Sequence, residues 1–315
     1  MTQMISIMNS GQFKCDREVS SRLKKQVVVV VMGATGTGKS KLSIDLATTF
    51  PAEVINSDKM QVYEGLDIVT NKITEEESCG VPHHLLGEID PNSEFTAQNF
   101  CNLASSAVDS IVSRGLLPII VGGSNSFIEA LLDDEELSFR SKYDCCFLWV
   151  DVSLLVLRKF ISHRVDQMVE KGMVEEARAF FDPSADYTIG IRKSIGIPEF
   201  DMYLRSEGFL DDESKKKLFD ESVSTMKRNT YALALRQLEK IRRLREEKGW
   251  SIHRIDATEA FRKKGKEAEK VWARSVAKKG IHLVKEACYA MSANVQTASS
   301  SMRSCREYNV TRYYV

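Results

Sequence analysis

Apolar and polar positions alternate along this chain on two periods. Val27 to Met32 is an unbroken apolar run, and Leu117–Val121 and Cys145–Val152 are nearly so. Runs of that length without polar alternation predict strands buried on both faces, as in a parallel sheet. Glu53–Asn56 and Ile252–Ile255 are shorter runs of the same kind. Between them lie amphipathic stretches at helical spacing, predicting helices over Lys39–Phe50, Thr96–Ser113 and Leu154–Lys171. Strands alternating with long helices imply an α/β sheet with crossover connections.

The alternation stops at Met173. From there to Lys248 no strand pattern occurs, and Met226, Thr230, Leu233, Leu238, Ile241 and Leu244 follow one helical face. A helical segment therefore interrupts the sheet before its last strand, and a lysine-rich helix is predicted over 260–289. The expected organisation is an N-terminal extension over 1–26, a core over 27–172 and 225–289, a helical insertion over 173–224, and a serine-rich, disordered tail over 290–315. No internal repeat is present.

Composition narrows the picture. At 315 residues the chain can bury a full core. Lysine plus arginine equal aspartate plus glutamate at 44 each. A protein that grips long nucleic acid usually shows a basic surplus, so none is expected here beyond a local patch. The seven cysteines form no Cys-x-x-Cys pair. That argues against a disulfide framework or zinc site, and for a reducing compartment. The apolar run at Val27 is too short to span a bilayer, so no membrane partner is expected. Residues 1–26 read equally as a trimmed transit segment or a simple tail.

The first candidate chemistry follows the first strand. Gly33-Ala34-Thr35-Gly36-Thr37-Gly38-Lys39-Ser40 has the Gly-x-x-x-x-Gly-Lys-Ser/Thr spacing, between a valine-rich strand and an amphipathic helix. Glycines allow successive N–H groups to point inward, the helix N-terminus adds its dipole, and Lys39 places a charge on phosphate oxygens. Ser40 can ligate a magnesium ion that bridges those oxygens. The loop thus predicts diphosphate binding with Mg2+. The fold class it implies is α/β: a P-loop NTPase-like parallel sheet flanked by helices, with a small helical insertion domain. It does not choose among kinase, hydrolase and switch. A hydrolase would also need a magnesium-binding aspartate at a strand end, and Asp58 and Asp151 are the candidates, the latter also open to a capping role.

Further blocks carry a resemblance. Asn56-Ser57-Asp58-Lys59-Met60-Gln61-Val62-Tyr63 follows the second strand. Gly80-Val81-Pro82-His83-His84-Leu85, Asp90-Pro91 and Gly122-Gly123-Ser124-Asn125-Ser126 come next. Leu157, Arg164-Val165-Asp166-Gln167-Met168, Gly172, Ile195-Gly196, Glu199-Phe200 and Arg236-Gln237 continue the series. Together with the phosphate loop, and spanning roughly residues 27 to 256, this ordered set resembles the dimethylallyl-diphosphate:adenine transferases. That family contains tRNA dimethylallyltransferases and the adenylate isopentenyltransferases that open cytokinin biosynthesis. The resemblance implies that the loop holds dimethylallyl diphosphate and that an adenine N6 attacks its allylic carbon.

The residues make chemical sense of that implication. N6 is a weak nucleophile because its lone pair is delocalised, and Asp58, at a strand's carboxyl end, could take its proton. A helix cap or a magnesium ligand is the alternative for Asp58. Lys39, the loop N–H groups, Thr35, a magnesium ion on Ser40, and Arg164 could stabilise the leaving diphosphate. Without the resemblance Arg164 would read as a surface charge. Adjacent histidines point apart, so His83-His84 reads as structural or pocket-lining rather than as a metal pair. Gln61 contacts adenine or caps its strand.

Three departures bear on the acceptor. The tRNA branch carries serine where this chain has Lys59, and Gly-Gly-Thr-Gly where it has Gly122-Gly123-Ser124-Asn125. Tyr231 and Leu235 stand where that branch has an arginine and a lysine, cations able to pair with an RNA backbone. No zinc-finger spacing follows. The resemblance is therefore to the plant adenylate enzymes, with ATP or ADP as acceptor, AMP as the alternative, and no tRNA partner. Arg192, Lys193, Lys227 and Arg228 are candidates for the nucleotide's phosphates, each also readable as an exposed charge. A monomer is expected. The plant resemblance points to the plastid, with the cytosol as alternative. A tRNA dimethylallyltransferase, a P-loop small-molecule kinase and a non-catalytic nucleotide-binding module remain the competing readings.

Overall fold

The structure, a computed structural model, describes residues 25–290, so most of the N-terminal extension and nearly all of the C-terminal tail lie outside the described residues. Six parallel strands form one sheet: β1 Gln26–Met32, β2 Ala52–Asn56, β3 His83–His84, β4 Leu117–Val121, β5 Tyr143–Asp151 and β6 Ile252–Asp256. Their order is β3-β2-β4-β1-β5-β6. The most apolar run lies at the centre: Val27 to Met32 are all buried, between β4 (Val30 opposite Ile120) and β5 (Val30 opposite Phe147). Each such valine contributes about 1.5–3 kcal/mol by leaving water, which is why this run forms the spine of the sheet.

The helices are α1 Lys39–Ala47, α2 Glu75–Ser78, α3 Ala97–Ser113, α4 Asn125–Asp133, α5 Phe139–Lys142, α6 Leu154–Glu170, α7 Met173–Ala179, α8 Ile197–Ser206, α9 Asp212–Glu246, α10 Thr258–Arg262 and α11 Gly265–Trp272. Thr96 and Asn99 close a reciprocal capping box on α3, and the Asp211 carboxylate caps α9. Helix α9 runs unbroken from the α8 hairpin back to the sheet, so one rod connects the Met173–Lys248 region to the core. No helix among the described residues is long and apolar enough to cross a membrane.

Two features differ from the sequence expectation. The strand β3 pairs with β2 at the sheet edge, Val54 opposite His83 and Ile55 opposite His84. Two half-buried histidines give no strand periodicity. The single helix expected over 260–289 is broken: the chain leaves helical geometry after Arg262, resumes at Gly265, and passes through a π-helical turn at Ala273–Ala277 before continuing over 278–290. The π turn adds one residue to a helical turn; Trp272 just before it and Val276 within it are both buried.

Strand β1 is the point where the chain reverses its direction across the sheet: β2 and β4 lie on one side, β5 and β6 on the other. In an open parallel sheet the crevice beyond the strand ends at such a reversal is the ligand site. The segment after β1 is the glycine-rich loop.

Candidate active site

The phosphate loop connects β1 to α1, with Gly38 as the residue before the helix in a left-handed conformation (φ 88). Only glycine adopts that geometry without strain. Space demands glycine there too, since a Cβ at 38 would lie 2.6 Å from the Trp272 ring. Thr37 is fully buried and its hydroxyl donates to the Ala34 carbonyl at 2.9 Å. Gly36 lies against Leu157, Phe160 and Ile161 of α6, so that helix walls the loop on one side. Ser40 is exposed in the first turn of α1.

Lys39 folds back over the loop, its ammonium donating to the Ala34 carbonyl at 2.8 Å. Burial pushes its pKa down to about 8; Asp58 pulls it back up and Arg164 lowers it further. Arg164 is lowered by burial too, and again Asp58 opposes the shift. One carboxylate therefore acts on two cations that burial makes costly to keep charged. An incoming anion would relieve that cost. The Arg164 Nη1 donates to Thr35 Oγ1 at 3.3 Å, placing the guanidinium on the loop itself.

Asp58 owes its position to its neighbours. Asn56, 4% exposed at the end of β2, accepts from the Asp58 N–H at 2.9 Å and donates to the carbonyls of Asp58 (3.1 Å) and Leu85 (2.8 Å). One Asp58 oxygen, Oδ1, accepts from Met60 N at 3.1 Å. The other faces Gly123, where a Cβ would stand 3.3 Å from it. Gly122 is packed harder still: a Cβ there would meet the Ser57 carbonyl carbon at 2.4 Å and Asp58 N at 2.6 Å. The Gly-Gly pair after β4 is thus a requirement of close approach to the Asp58 turn.

Gln237, deep in α9 and 9% exposed, joins the two loops. Its Oε1 accepts from Thr35 N at 2.7 Å, and its Nε2 donates to the Gly123 carbonyl at 3.0 Å. The Asn125 side chain returns a bond to the Gln237 carbonyl at 3.3 Å. Sequence reading placed Gln237 only within a motif and gave Asn125 no role. Their partners lie far away along the chain, and only the fold reveals them.

The other sequence candidates fall out as follows. Asp151 is ion-paired with Arg254 at 2.6 Å on the β6 side, a role that neither sequence reading, magnesium ligand or cap, gives it. Gln61 donates from its amide to the carbonyls of Thr70 (3.1 Å) and Asn71 (3.0 Å), so its donors serve a loop. His84 pairs with Glu53 at 2.7 Å and His83 contacts the Val81 carbonyl at 2.7 Å, both as strand-edge braces. Arg192 lies over the Phe180 ring and bonds Asn92, while Lys193 is half-buried. Arg228 is exposed and donates to Thr225 at 3.0 Å. Lys227 alone of these four is tied to the helix carrying Arg164, through Asp166 at 2.5 Å. No group of three or more His, Cys, Asp or Glu side chains among the described residues could hold a metal. The oxygen donors at hand, Ser40 and Asp58, suit a hard cation that takes most of its ligands from substrate phosphate and water.

Comparison with known proteins adds family context. The model of the family described as IPP transferase matches residues 61–141 and 133–244. A chloroplastic adenylate isopentenyltransferase of Arabidopsis thaliana is 60% identical over 256 residues, covering 80% of this chain and 76% of the relative. A second chloroplastic one from the same plant is 57% identical over 257 residues, covering 81% and 78%. Among solved structures, a eukaryotic dimethylallyltransferase acting on tRNA superposes with a TM-score of 0.68 at 26% identity, covering 82% of this chain and 78% of that one.

Proposed function

This chain belongs to the IPP transferase family, and from that premise we propose that it transfers the dimethylallyl group of dimethylallyl diphosphate to the N6 amine of a free adenine nucleotide, ATP and ADP ahead of AMP. The observation that carries the reading is geometric: Gln237 ties Thr35 of the phosphate loop to Gly123, which faces Asp58 Oδ2, while Arg164 bonds Thr35 and Lys39 folds back over the same loop. A base and two diphosphate-binding cations side by side are what this transfer needs. The relatives at 60% and 57% identity are named for adenylate as acceptor, whereas the tRNA-acting structure is 26% identical.

In this reading the loop N–H groups, Lys39, Thr35 and Arg164 hold the diphosphate. The N6 lone pair forms the new C–N bond to the allylic carbon as the C–O bond breaks, and its electron pair leaves with the diphosphate. Asp58 Oδ2, on the side that Gly123 leaves clear, takes the N6 proton. Charge grows on the leaving oxygens as the bond breaks, so the cations hold the products' side of the reaction more tightly than the substrate's. Mg2+, held by Ser40 and the substrate's own oxygens, would add Lewis-acid stabilisation of the leaving diphosphate. Lys227 is the basic residue best connected to the site for an acceptor phosphate. A monomer is proposed as the acting unit, and size-exclusion chromatography with light scattering tests it. The names of the two chloroplastic relatives support a plastid location, and the organelle is read by expressing the full chain fused to a fluorescent protein.

The deciding experiment incubates the protein with dimethylallyl diphosphate, Mg2+ and, side by side, AMP, ADP, ATP or unmodified tRNA. Prenylated ATP and ADP with stoichiometric diphosphate release is the expected result. Transfer to tRNA with none to any free nucleotide would overturn the acceptor assignment. Phosphate release from ATP to an acceptor, with no need for the prenyl donor, would replace the reading with a kinase.

A further inference from the structure

Between β2 and α2 the chain makes a tightly braced loop over residues 64–72 whose purpose the reaction scheme leaves unstated. Its short helical turn is capped from outside: the Glu176 carboxylate of α7 accepts from Ile68 N at 3.0 Å and Val69 N at 2.8 Å. Gln61 holds the carbonyls of Thr70 and Asn71. Lys72 ties Gly65 and Asp67 together at 2.6 Å each. Leu66 and Val69 anchor the loop in the core. What this construction delivers is Asn71, held in the left-handed region (φ 52) with its side-chain oxygen accepting from Arg164 Nε at 2.9 Å.

We propose that Asn71 is a positioning residue for the transfer, fixing the Arg164 guanidinium over the phosphate loop without itself adding a charge that would compete with the diphosphate. The proposal rests on the reading in which Arg164 holds the diphosphate. A guanidinium is planar, so a bond to Nε together with the Nη1 bond to Thr35 sets the orientation of the whole fork. An amide oxygen can do this without cancelling the positive charge, whereas a carboxylate would form an ion pair and compete with the diphosphate. Asparagine also tolerates the left-handed backbone better than most side chains. Asn71 is exposed, so removing its side chain opens no hole in the core.

The test separates side chain from backbone. Asn71→Gly keeps the left-handed turn and removes the side chain with its accepting oxygen; Asn71→Ala strains the turn as well; Asn71→Asp keeps an acceptor but pairs it with Arg164. Steady-state kinetics with dimethylallyl diphosphate and ATP are measured beside melting temperature and calorimetric binding of inorganic diphosphate. Hydrogen bonds to charged groups predict a kcat loss on the order of tenfold or more in Asn71→Gly, with the melting temperature held near that of the parent. Asn71→Asp is expected to bind inorganic diphosphate more weakly than Asn71→Gly does. In an Arg164→Ala background Asn71→Gly should cost nothing further, because the two act as one unit. If Asn71→Gly keeps kcat within about twofold, or costs as much without Arg164 as with it, the inference is wrong. If Arg164→Ala binds inorganic diphosphate as tightly as the parent, it is instead the underlying reading of Arg164 that fails.

Discussion

Asp58 is held by three hydrogen bonds, two with Asn56 and one from Met60 N, and its charge favours the charged forms of Lys39 and Arg164; the consequences of changing it follow from that placement. Asp58→Asn keeps the shape and removes the proton acceptor. General-base loss predicts a fall in kcat of roughly 10²–10⁴-fold. Binding of inorganic diphosphate should hold or tighten, because the carboxylate no longer competes for Lys39 and Arg164. Parallel kinetics and calorimetry check this, and weaker diphosphate binding would show that Asp58 works through a metal instead. Gly123→Ala is the second test at this scale. Its methyl would arrive 2.3 Å from Gln237 Nε2, inside any tolerable contact. Because Gln237 also holds Thr35 N, the strain reaches the phosphate loop. The KM for the prenyl donor should rise with a lower kcat, although residue 123 contacts no diphosphate in the proposed scheme. Unchanged donor KM would mean that Gln237 moves aside freely. The glycine pair was visible in the sequence as a motif, but its reason, two backbones in contact across the sheet, was not.

At the scale of elements, the phosphate loop is gripped from three sides: α6 beneath Gly36, α9 through Gln237, and the C-terminal helix through Trp272. The last grip is the least obvious. Trp272 lays its ring against Gly38, and its indole N–H donates to Asp45 of α1 at 2.6 Å, while Lys41 pairs with Glu269 at 2.8 Å. Truncating a buried tryptophan to alanine costs about 3–5 kcal/mol. Trp272→Ala should therefore lower the melting temperature and also raise donor KM, since the residue before α1 loses its support. Trp272→Phe, which keeps a ring but loses the Asp45 bond, should fall between. A loss of stability with donor KM untouched would make the helix a mere buttress. The sequence announced the strands well because parallel strands buried on both faces must be continuously apolar, as Val27–Met32 is. It announced the loop because glycine spacing is local. It concealed β3, whose two histidines carry no period. It also concealed the break and π turn around Trp272, because a lysine-rich amphipathic pattern reads the same whether or not the helix is interrupted. Gln237 and Asn71 were hidden for a related reason: a hydrogen bond between distant segments leaves no trace in spacing.

For the whole molecule, balanced formal charge conceals two carboxylates, buried Glu53 and half-buried Glu129, on which acid stability turns. Glu53 joins β2 to the sheet edge and to the end of α3. Its bonds to Arg114 hold its pKa at about 2, against an ordinary 4.5, with His84 adding to the shift and burial opposing it. Glu129 joins α4 to α9: burial alone would raise its pKa, but Lys240, Lys248 and Arg243 together bring it down to about 2. A carboxyl whose folded pKa lies below its unfolded one contributes stability that is complete above the unfolded value. That contribution is lost as pH falls toward the folded value. For both residues the window runs from about 4.5 down to about 2. Because the partner cations Arg114, Lys240, Arg243 and Lys248 are themselves partly exposed, solvent screening reduces what each shift contributes to stability. Urea unfolding at pH 7, 4 and 3 should show a steep decline below pH 4.5. Glu53→Gln and Glu129→Gln should each be less stable at pH 7 yet decline less steeply with acid, and the double variant least steeply of all, because the sites sit on different pairs of elements and should add. Parallel decline in parent and variants would place the acid sensitivity elsewhere. The prediction is separable from catalysis, since neither glutamate bonds the phosphate loop or Asp58, so Glu53→Gln and Glu129→Gln should keep the parent kcat at neutral pH and at temperatures where they remain folded.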